Sequence, residues 1–309
     1  MSKLFYIEKP ADLAILTVQG VTELLPNMVQ FVMDAETSEA DEYQAFMAAS
    51  LQQVAFVSLG VPGRSARGIE LSFDAEKSEY CVRVNTPSAR QDWDVAREFI
   101  SALSEHCKTT ISVEDGEGRE TGLTPQTLRF INTDADIQAG LAAIKQHATD
   151  TNALMLTGVL RYFSMNADII NGILGEPDPI EAFSTFALNT QYPEAYIAKP
   201  MFYKDENEAI HGVYVLTENL PTVLPIRPYI SPDWRDRLAE KDIAQWHVIL
   251  MGYQNPDDVE SLTMLADLDY GVLDKYVDAS KKAPLDASDW VVQGLSHAEM
   301  EELARLARS

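Results

Sequence analysis

The stretch from Ile69 to Val113 leaves this chain the least freedom in how it folds. Ile69, Leu71 and Phe73 alternate with Glu70, Ser72 and Asp74, the two-residue period of a strand with one buried face. Asp74 to Glu79 is a polar turn, and Tyr80, Val82 and Val84 then alternate in the same way. Thr86-Pro87-Ser88 ends that strand, and Ser88-x-x-Gln91 has the form of a capping box that opens a helix. Trp93, Ala96, Ile100, Leu103 and Cys107 recur at the helical period, with Val95 and Phe99 on a neighbouring stripe. Thr109 to Val113 is a β-rich run, and Asp115-Gly116-Glu117-Gly118 turns the chain. Two half-buried strands, an amphipathic helix and a further strand must bury their apolar sides against each other.

The same grammar continues. Thr133-x-x-Asp136 starts a helix that puts Ile137, Leu141, Ile144 and Ala148 on one face. Ala153 to Leu160 reads as a buried strand, and Asp178-Pro179-x-Glu181 combines an N-cap, an N1 proline and a box-type acid. Ala195 to Tyr203 and His211 to Thr217 flank Lys204-Asp205-Glu206-Asn207-Glu208 as a hairpin. Ser231-Pro232 opens a short helix, Trp246 to Tyr253 is a strand, and Ser296-x-x-Glu299 caps a C-terminal helix bearing Met300, Leu303 and Leu306. The expected class is α+β: mixed, largely antiparallel sheets built from β-β-α-β units, with amphipathic helices packed on one face. Gly, Thr and acidic residues thin the apolar pattern between Asp115 and Asp134. That places an N-terminal half at 1–130 and a C-terminal half at 131–309, with one continuous body as the alternative.

Among 309 residues, 24 Lys and Arg face 48 Asp and Glu, a formal net charge of −24. A protein that binds nucleic acid by neutralising phosphates needs a basic face, so no nucleic-acid partner is expected. The acidic stretch Asp34 to Glu42 reads as a solvated loop, with docking of a basic partner as the alternative. Cys81 and Cys107 have no metal or redox spacing, which suits a reducing compartment. The first residues carry too short an apolar run for a signal peptide. The most apolar window, Ala153 to Leu160, stops at Arg161, far short of the ~20 residues that span a bilayer. A cytoplasmic protein without a membrane partner is the expectation.

Motifs for chemistry fail one after another. Gly63 to Gly68 has the spacing of a phosphate loop, but Ile69-Glu70 stands where Lys and Ser/Thr are needed. Arg67 replaces the glycine that a nucleophile elbow around Ser65 requires. His106, His147, His211, His247 and His297 are at least 36 residues apart and form no ligand cluster in sequence. Asp205-Glu206-Asn207-Glu208-Ala209-Ile210 begins like a calcium loop, then places Ile210 at the bend that needs glycine. Asp92 and Asp94 around Trp93 do not face the same way on a helix. His106 beside Cys107 reads as a helix C-terminal partner next to a buried thiol. Trp93, Trp234 and Trp246 read as packing residues. No catalytic residue, metal site or cofactor is expected, and the oligomeric state is not legible.

Positive charge, however, is concentrated. Arg64, Arg67, Lys77, Arg83, Arg90 and Arg97 lie within residues 64–97, balanced there by six acids. Arg64, Arg67, Arg83 and Arg90 are the candidate anion-binding residues. A guanidinium grips carboxylate or phosphate bidentately, and Arg90 sits in the first turn of a helix, where free amides favour an anion. The competing reading is internal salt bridging to Asp92, Asp94 or Glu70.

Gly63-Arg64-Ser65-Ala66-Arg67-Gly68-Ile69-Glu70-Leu71-Ser72 and Val82-Arg83-Val84-Asn85-Thr86-Pro87-Ser88-Ala89-Arg90-Gln91-Asp92-Trp93 together resemble the bacterial domain-of-unknown-function family DUF4299. Gln191-Tyr192-Pro193-Glu194-Ala195-Tyr196, Met201-Phe202-Tyr203, Gly212 to Glu218 and Met251-Gly252-Tyr253 are similar to later parts of it. The likeness runs from about Phe5 to Tyr253 and fades in the tail from Asp278 to Ser309. Ile69 departs from the aromatic residue that the family pattern implies. The resemblance implies a bacterial cytosolic protein with one continuous body and transfers no catalytic residue.

Two functions follow as expectations. The first is a non-catalytic interaction protein of immunity or regulatory type that masks a basic protein partner, for which the net charge supplies steering. The second is an enzyme or small-anion binder that uses the four arginines. Acidic mimicry of a DNA duplex would need carboxylates in a regular array, which sequence does not display.

Overall fold

In a computed structural model of the chain, which describes residues 2–35, 38–114, 118–149, 152–235, 237–255 and 257–308, the alternating residues after Ile69 form two adjacent antiparallel strands. The chain divides into two compact units, Met1–Tyr192 and Pro193–Ser309. The expected turn at Asp115, Gly116 and Glu117, and Glu36 of the acidic stretch, lie outside the described residues.

The first unit runs β1 (Ser2–Glu8), α1 (Val18–Thr22), β2 (Val29–Gln30), α2 (Ala40–Ala48), β3 (Val57–Gly60), β4 (Ile69–Asp74), β5 (Glu79–Asn85), α3 (Arg90–Cys107), β6 (Ile111–Glu114), β7 (Arg119–Leu123), α4 (Pro125–Leu128), α5 (Thr133–His147), β8 (Leu154–Leu156), β9 (Phe163–Met165), α6 (Ala167–Gly175) and α7 (Pro179–Gln191). Seven strands make one antiparallel sheet in the order β2-β3-β4-β5-β1-β6-β7. Strand parity sends Phe5, Ile7, Leu71, Tyr80, Val82 and Val84 into one core. On α3, Trp93 enters that core edge-on to Phe5, with ring centroids 6.3 Å apart. On the other face Tyr6 donates to Glu114 (2.7 Å), and Arg119 lies over the Tyr6 ring while pairing with Glu79 at 2.6 Å.

Residues beyond 130 belong to this same core. Ile137, Leu141 and Ile144 of α5 and Phe183 and Ala187 of α7 are buried in it. The division into units thus falls after Tyr192, whereas Asp115–Asp134 contributes β7 and α4 to the first unit. The polar composition there reflects an edge strand whose residues are mostly exposed.

One side chain organises the loop between β3 and β4. Asp92, fully buried, accepts hydrogen bonds from the amides of Ala66 (2.9 Å), Arg67 (3.1 Å), Gly68 (2.9 Å) and Ala89 (3.0 Å). The helix therefore begins one residue later than Ser88-x-x-Gln91 predicts. Ala89 is the N-cap, and Asp92 at N3 reaches back to its amide. Ser88 instead donates to Asn85 O. Burial pushes the Asp92 carboxyl up to about 6, against the downward pull of the Gly68, Arg67 and Ala89 amides, so it remains an ionised acceptor at neutral pH. The loop then binds outward: Val159 N–H donates to Ala66 O (2.9 Å) and Tyr192 Oη–H to Ser65 O (2.8 Å). Gly68 closes the loop at φ +62°, where a side chain would collide with Leu59 O.

The second unit runs β10 (Tyr196–Ile197), β11 (Met201–Lys204), β12 (Ile210–Thr217), β13 (Thr222–Pro225), β14 (Ile243–Tyr253), β15 (Leu262–Asp269), α8 (Val272–Tyr276), β16 (Lys282–Pro284), β17 (Asp289–Val292) and α9 (His297–Ala307). Two four-stranded sheets result, β10-β13-β17-β16 and β11-β12-β14-β15, with parallel pairing at β10–β13 and β12–β14. The single strand expected over Ala195–Tyr203 is two strands in different sheets, because Lys199-Pro200 interrupts it. Likewise Ala153–Leu160 shortens to β8, which pairs with β9 as a hairpin. The Ser296–Glu299 capping box opens α9 as predicted, and Met300 and Leu303 enter the core of the unit. Just inside α9, His297 Nδ1 meets the buried Glu218 carboxylate at 2.9 Å. Together the units are α+β, and no described helix is long and apolar enough to cross a membrane.

Replacing Asp92 by Asn presents an NH2 group to amides that need an acceptor. A buried donor left unpaired costs ~1–3 kcal/mol, so D92N is expected to lose about 3 kcal/mol in urea unfolding. A midpoint equal to that of the wild type would show that the loop is held otherwise. The Glu218 hydrogen bond raises the His297 pKa, so the pair stabilises the fold fully below the ordinary imidazole value. Its contribution is lost as pH rises through the raised one. Wild type should therefore exceed H297Q in stability by more at about pH 6 than at about pH 8.5, and a pH-independent difference would refute this linkage.

Candidate functional site

The four arginines singled out from the sequence do not share a ligand-sized space through common partners. Arg67 is the buried one: its Nε donates to Thr157 O (2.9 Å) and its Nη1 to Pro87 O (2.6 Å), and burial lowers its pKa to about 10. Arg64 holds Glu98 through both terminal nitrogens, at 2.9 and 3.4 Å. Arg83 faces Glu70 across the β4–β5 pair at 3.6 Å. Arg90 meets Asp178 (2.8 Å), Glu181 (3.2 Å) and Asp134 (3.6 Å), where acids from the starts of α5 and α7 approach the start of α3. Of the internal partners expected, Glu70 pairs with Arg83, Asp94 pairs with Arg97, and Asp92 serves backbone amides. Hydrogen bonds and ion pairs give each of the four its own acceptors.

A different cluster stands out in the second unit. Parallel pairing of β12 with β14 places Val213 opposite His247, so His211 and His247 are diagonal neighbours on one face of the sheet. His211 Nδ1 lies 3.0 Å from His247 Nε2. His247 Nδ1 lies 2.8 Å from Asp267 Oδ1 on β15, and Asp205, in the turn after β11, stands 3.5 Å from His211 Nε2. The Tyr203 ring stacks on His211 with centroids 5.1 Å apart and planes 14° from parallel. Burial, then Asp267 and Asp205, push the Tyr203 hydroxyl above its ordinary pKa. Gln245 donates to Asp269 (3.2 Å) beside the pair. Asp–His–His–Asp is thus a continuous polar line across three strands and a turn.

Around that line the face is apolar, with Val213 buried and the edge strands β11 and β15 exposed at Met201 and Met264. Strand parity puts Met201, Val213, Val215, Ile249 and Met251 on it, with Met264 opposite Met251 across a bulge. Met201 is 52 %, Tyr203 42 % and Met264 61 % exposed. The opposite face carries Tyr214, Leu216, Val248 and Leu250 into the core. Trp246 and Trp234 flank Phe202 at 5.8 and 5.1 Å, packing residues as expected. Lys204 is the one cation in these four strands, and it pairs with Glu208 at 2.6 Å.

Sequence reasoning missed the histidine pair because 36 residues separate its members. Alternation would have placed each on its strand's polar parity, but only the parallel register joins them. Among the described residues no three His, Cys, Asp or Glu side chains gather as metal ligands. Burial raises the thiol pKa of Cys81 and takes that of Cys107 to about 11, so neither is an activated nucleophile.

The arginine partners predict an uneven mutational series. R67M strands two carbonyls in a buried site and should cost about 3 kcal/mol, whereas R64A breaks an exposed pair worth ~0.5 kcal/mol. Equal losses in thermal or urea unfolding would contradict this division.

No curated protein and no solved structure matches the chain. A family model described as a domain of unknown function, DUF4299, matches residues 2–303. That match spans both units and reaches well into α9, beyond the Tyr253 limit of the motif resemblance. With nearly its full length matched, from β1 to Leu303 of α9, the chain belongs to the DUF4299 family.

Proposed function

We propose that this protein acts in a bacterial cytoplasm as a non-catalytic interaction protein of immunity or regulatory type. It masks a basic protein on the open face of the β11-β12-β14-β15 sheet. The carrying observation is the combination on that face of exposed Met201, Tyr203 and Met264 with carboxylates at Asp205, Asp267 and Asp269. Exposed apolar patches rimmed by polar groups mark interaction sites. Lys204, the one cation within these four strands, is paired with Glu208, so the strands themselves present an excess of carboxylates that complements a basic partner. Residues 193–309 hold 21 Asp and Glu against 11 Lys and Arg, which extends the attraction to long range. The partner is accordingly a basic protein that presents an apolar or aromatic anchor between its Lys and Arg side chains.

Capture from native lysate on the immobilised full chain tests this reading, at low and at moderate salt. Wild type is expected to retain a stoichiometric basic protein whose yield falls as salt rises. The double substitution M201E/M264E, at two exposed positions, should lose it without loss of thermal stability. Equal capture by wild type and variant would overturn the assignment of the face, and capture of nothing by wild type at either salt would overturn the masking role.

A further inference from the structure

We infer that the His211–His247 pair is a proton-operated latch on this docking face, closed while the two rings share one hydrogen between them and opened when both rings are fully protonated. The inference rests on the proposed interaction for its consequence, but the latch itself is a property of the side chains. Hydrogen-bond accounting defines its states. His247 Nδ1, at 2.8 Å from a carboxylate oxygen, carries a proton that it donates to Asp267. His247 Nε2 then accepts from His211 Nδ1–H across 3.0 Å. That leaves His211 Nε2 buried without a hydrogen-bond partner, facing Asp205 at 3.5 Å.

A first added proton has a ready place: on His211 Nε2, aimed at Asp205. Asp205 is held ionised by the Ala209 and Asn207 amides. A second added proton has none. It would go to His247 Nε2 and set two N–H groups head-on at a spacing that only an N–H···N bond permits. The rings must then part.

Every element around the pair feels this. Tyr203 on β11 is stacked on His211, so parting the rings displaces an exposed anchor of the face. Asp205 in the turn and Asp267 and Asp269 on β15, the last held by Gln245 of β14, are the charges that face the pair. Each proton taken up cancels one unit of the negative charge that attracts a basic partner. Steric and electrostatic effects therefore act in the same direction, and docking weakens in acid.

The test is nitrogen NMR of the full chain labelled in the imidazole rings, with pH as the variable. At neutral pH a scalar coupling across the N–H···N bond should link the two rings, with His247 protonated at Nδ1. A first added proton should appear on His211 Nε2 with the coupling kept. Further acidification should abolish the coupling and shift the Tyr203 ring signals together. H247Q, which retains a polar side chain, should show no such joint step. Absence of the coupling at neutral pH, or its persistence with both rings doubly protonated, would overturn the latch whether or not a partner is found. For the captured partner, affinity is expected to fall about tenfold once the coupling is lost, at fixed ionic strength, and by less in H247Q under the same conditions. Equal falls in both proteins would show that the pair does not gate docking. Failure to capture any partner would leave the coupling measurement intact and count against the interaction reading alone.

Discussion

A carboxylate taken out of water has to find every one of its hydrogen bonds in the protein, and Asp92 finds them in backbone amides from two separate stretches of chain. Desolvating such a charge is expensive unless its lone pairs are met. Meeting them here forces the β3–β4 loop to curl around the start of α3. Once curled, the loop offers Ser65 O to Tyr192 and Ala66 O to Val159. It also sends Arg67 to Thr157 O and Pro87 O. Residues 92, 157–159 and 192 are thereby located by reference to one loop. The segments that carry the family resemblance, around Gly63–Gly68 and Ala89–Trp93, are the two halves of this contact. The Gly63–Gly68 loop, which has the spacing of a phosphate loop, converges its N–H groups on a buried acid instead of a phosphate.

What could be read from the chain without coordinates followed the range of the interactions involved. Strands β4 and β5, helix α3 and the caps of α7 and α9 depend on residues a few positions apart, and alternation or an N-cap acid reveals them. The interior strand β1 escaped, since Ser2–Glu8 holds its place through β5 and β6, both far along the chain. The boundary between units was masked by β7, an edge strand too polar to look like part of a core. Asp92 itself was visible only as an acid next to Trp93, because its role depends on a loop some two dozen residues earlier.

The candidate site shows the same limit more sharply. Arginine clustering in sequence pointed to residues 64–90, yet charge concentration says nothing about whether the matching acids are at hand. Asp134, Asp178 and Glu181, supplied by later helices, meet Arg90. Conversely, His211 and His247 carry no local signal at all. A parallel crossover brings them to hydrogen-bond distance, and neither their spacing nor their neighbours encode it. The acidity of the chain was legible from composition, but its concentration around an open apolar face required the register of four strands.

The meeting of Arg90 with Asp134, Asp178 and Glu181 has a consequence for the history of the family. Asp134 lies in the first turn of α5, Asp178 is the N-cap of α7 and Glu181 lies in that helix's first turn. Each of these acids thus answers a helix dipole as well as the guanidinium. Loss of Arg90 would leave three like charges crowded together, and loss of the acids would leave a cation among positive helix ends. Substitutions at these four positions are therefore tied to one another. As DUF4299 sequences diverge, they should drift as a correlated set even though nearly 90 residues separate the arginine from its last partners.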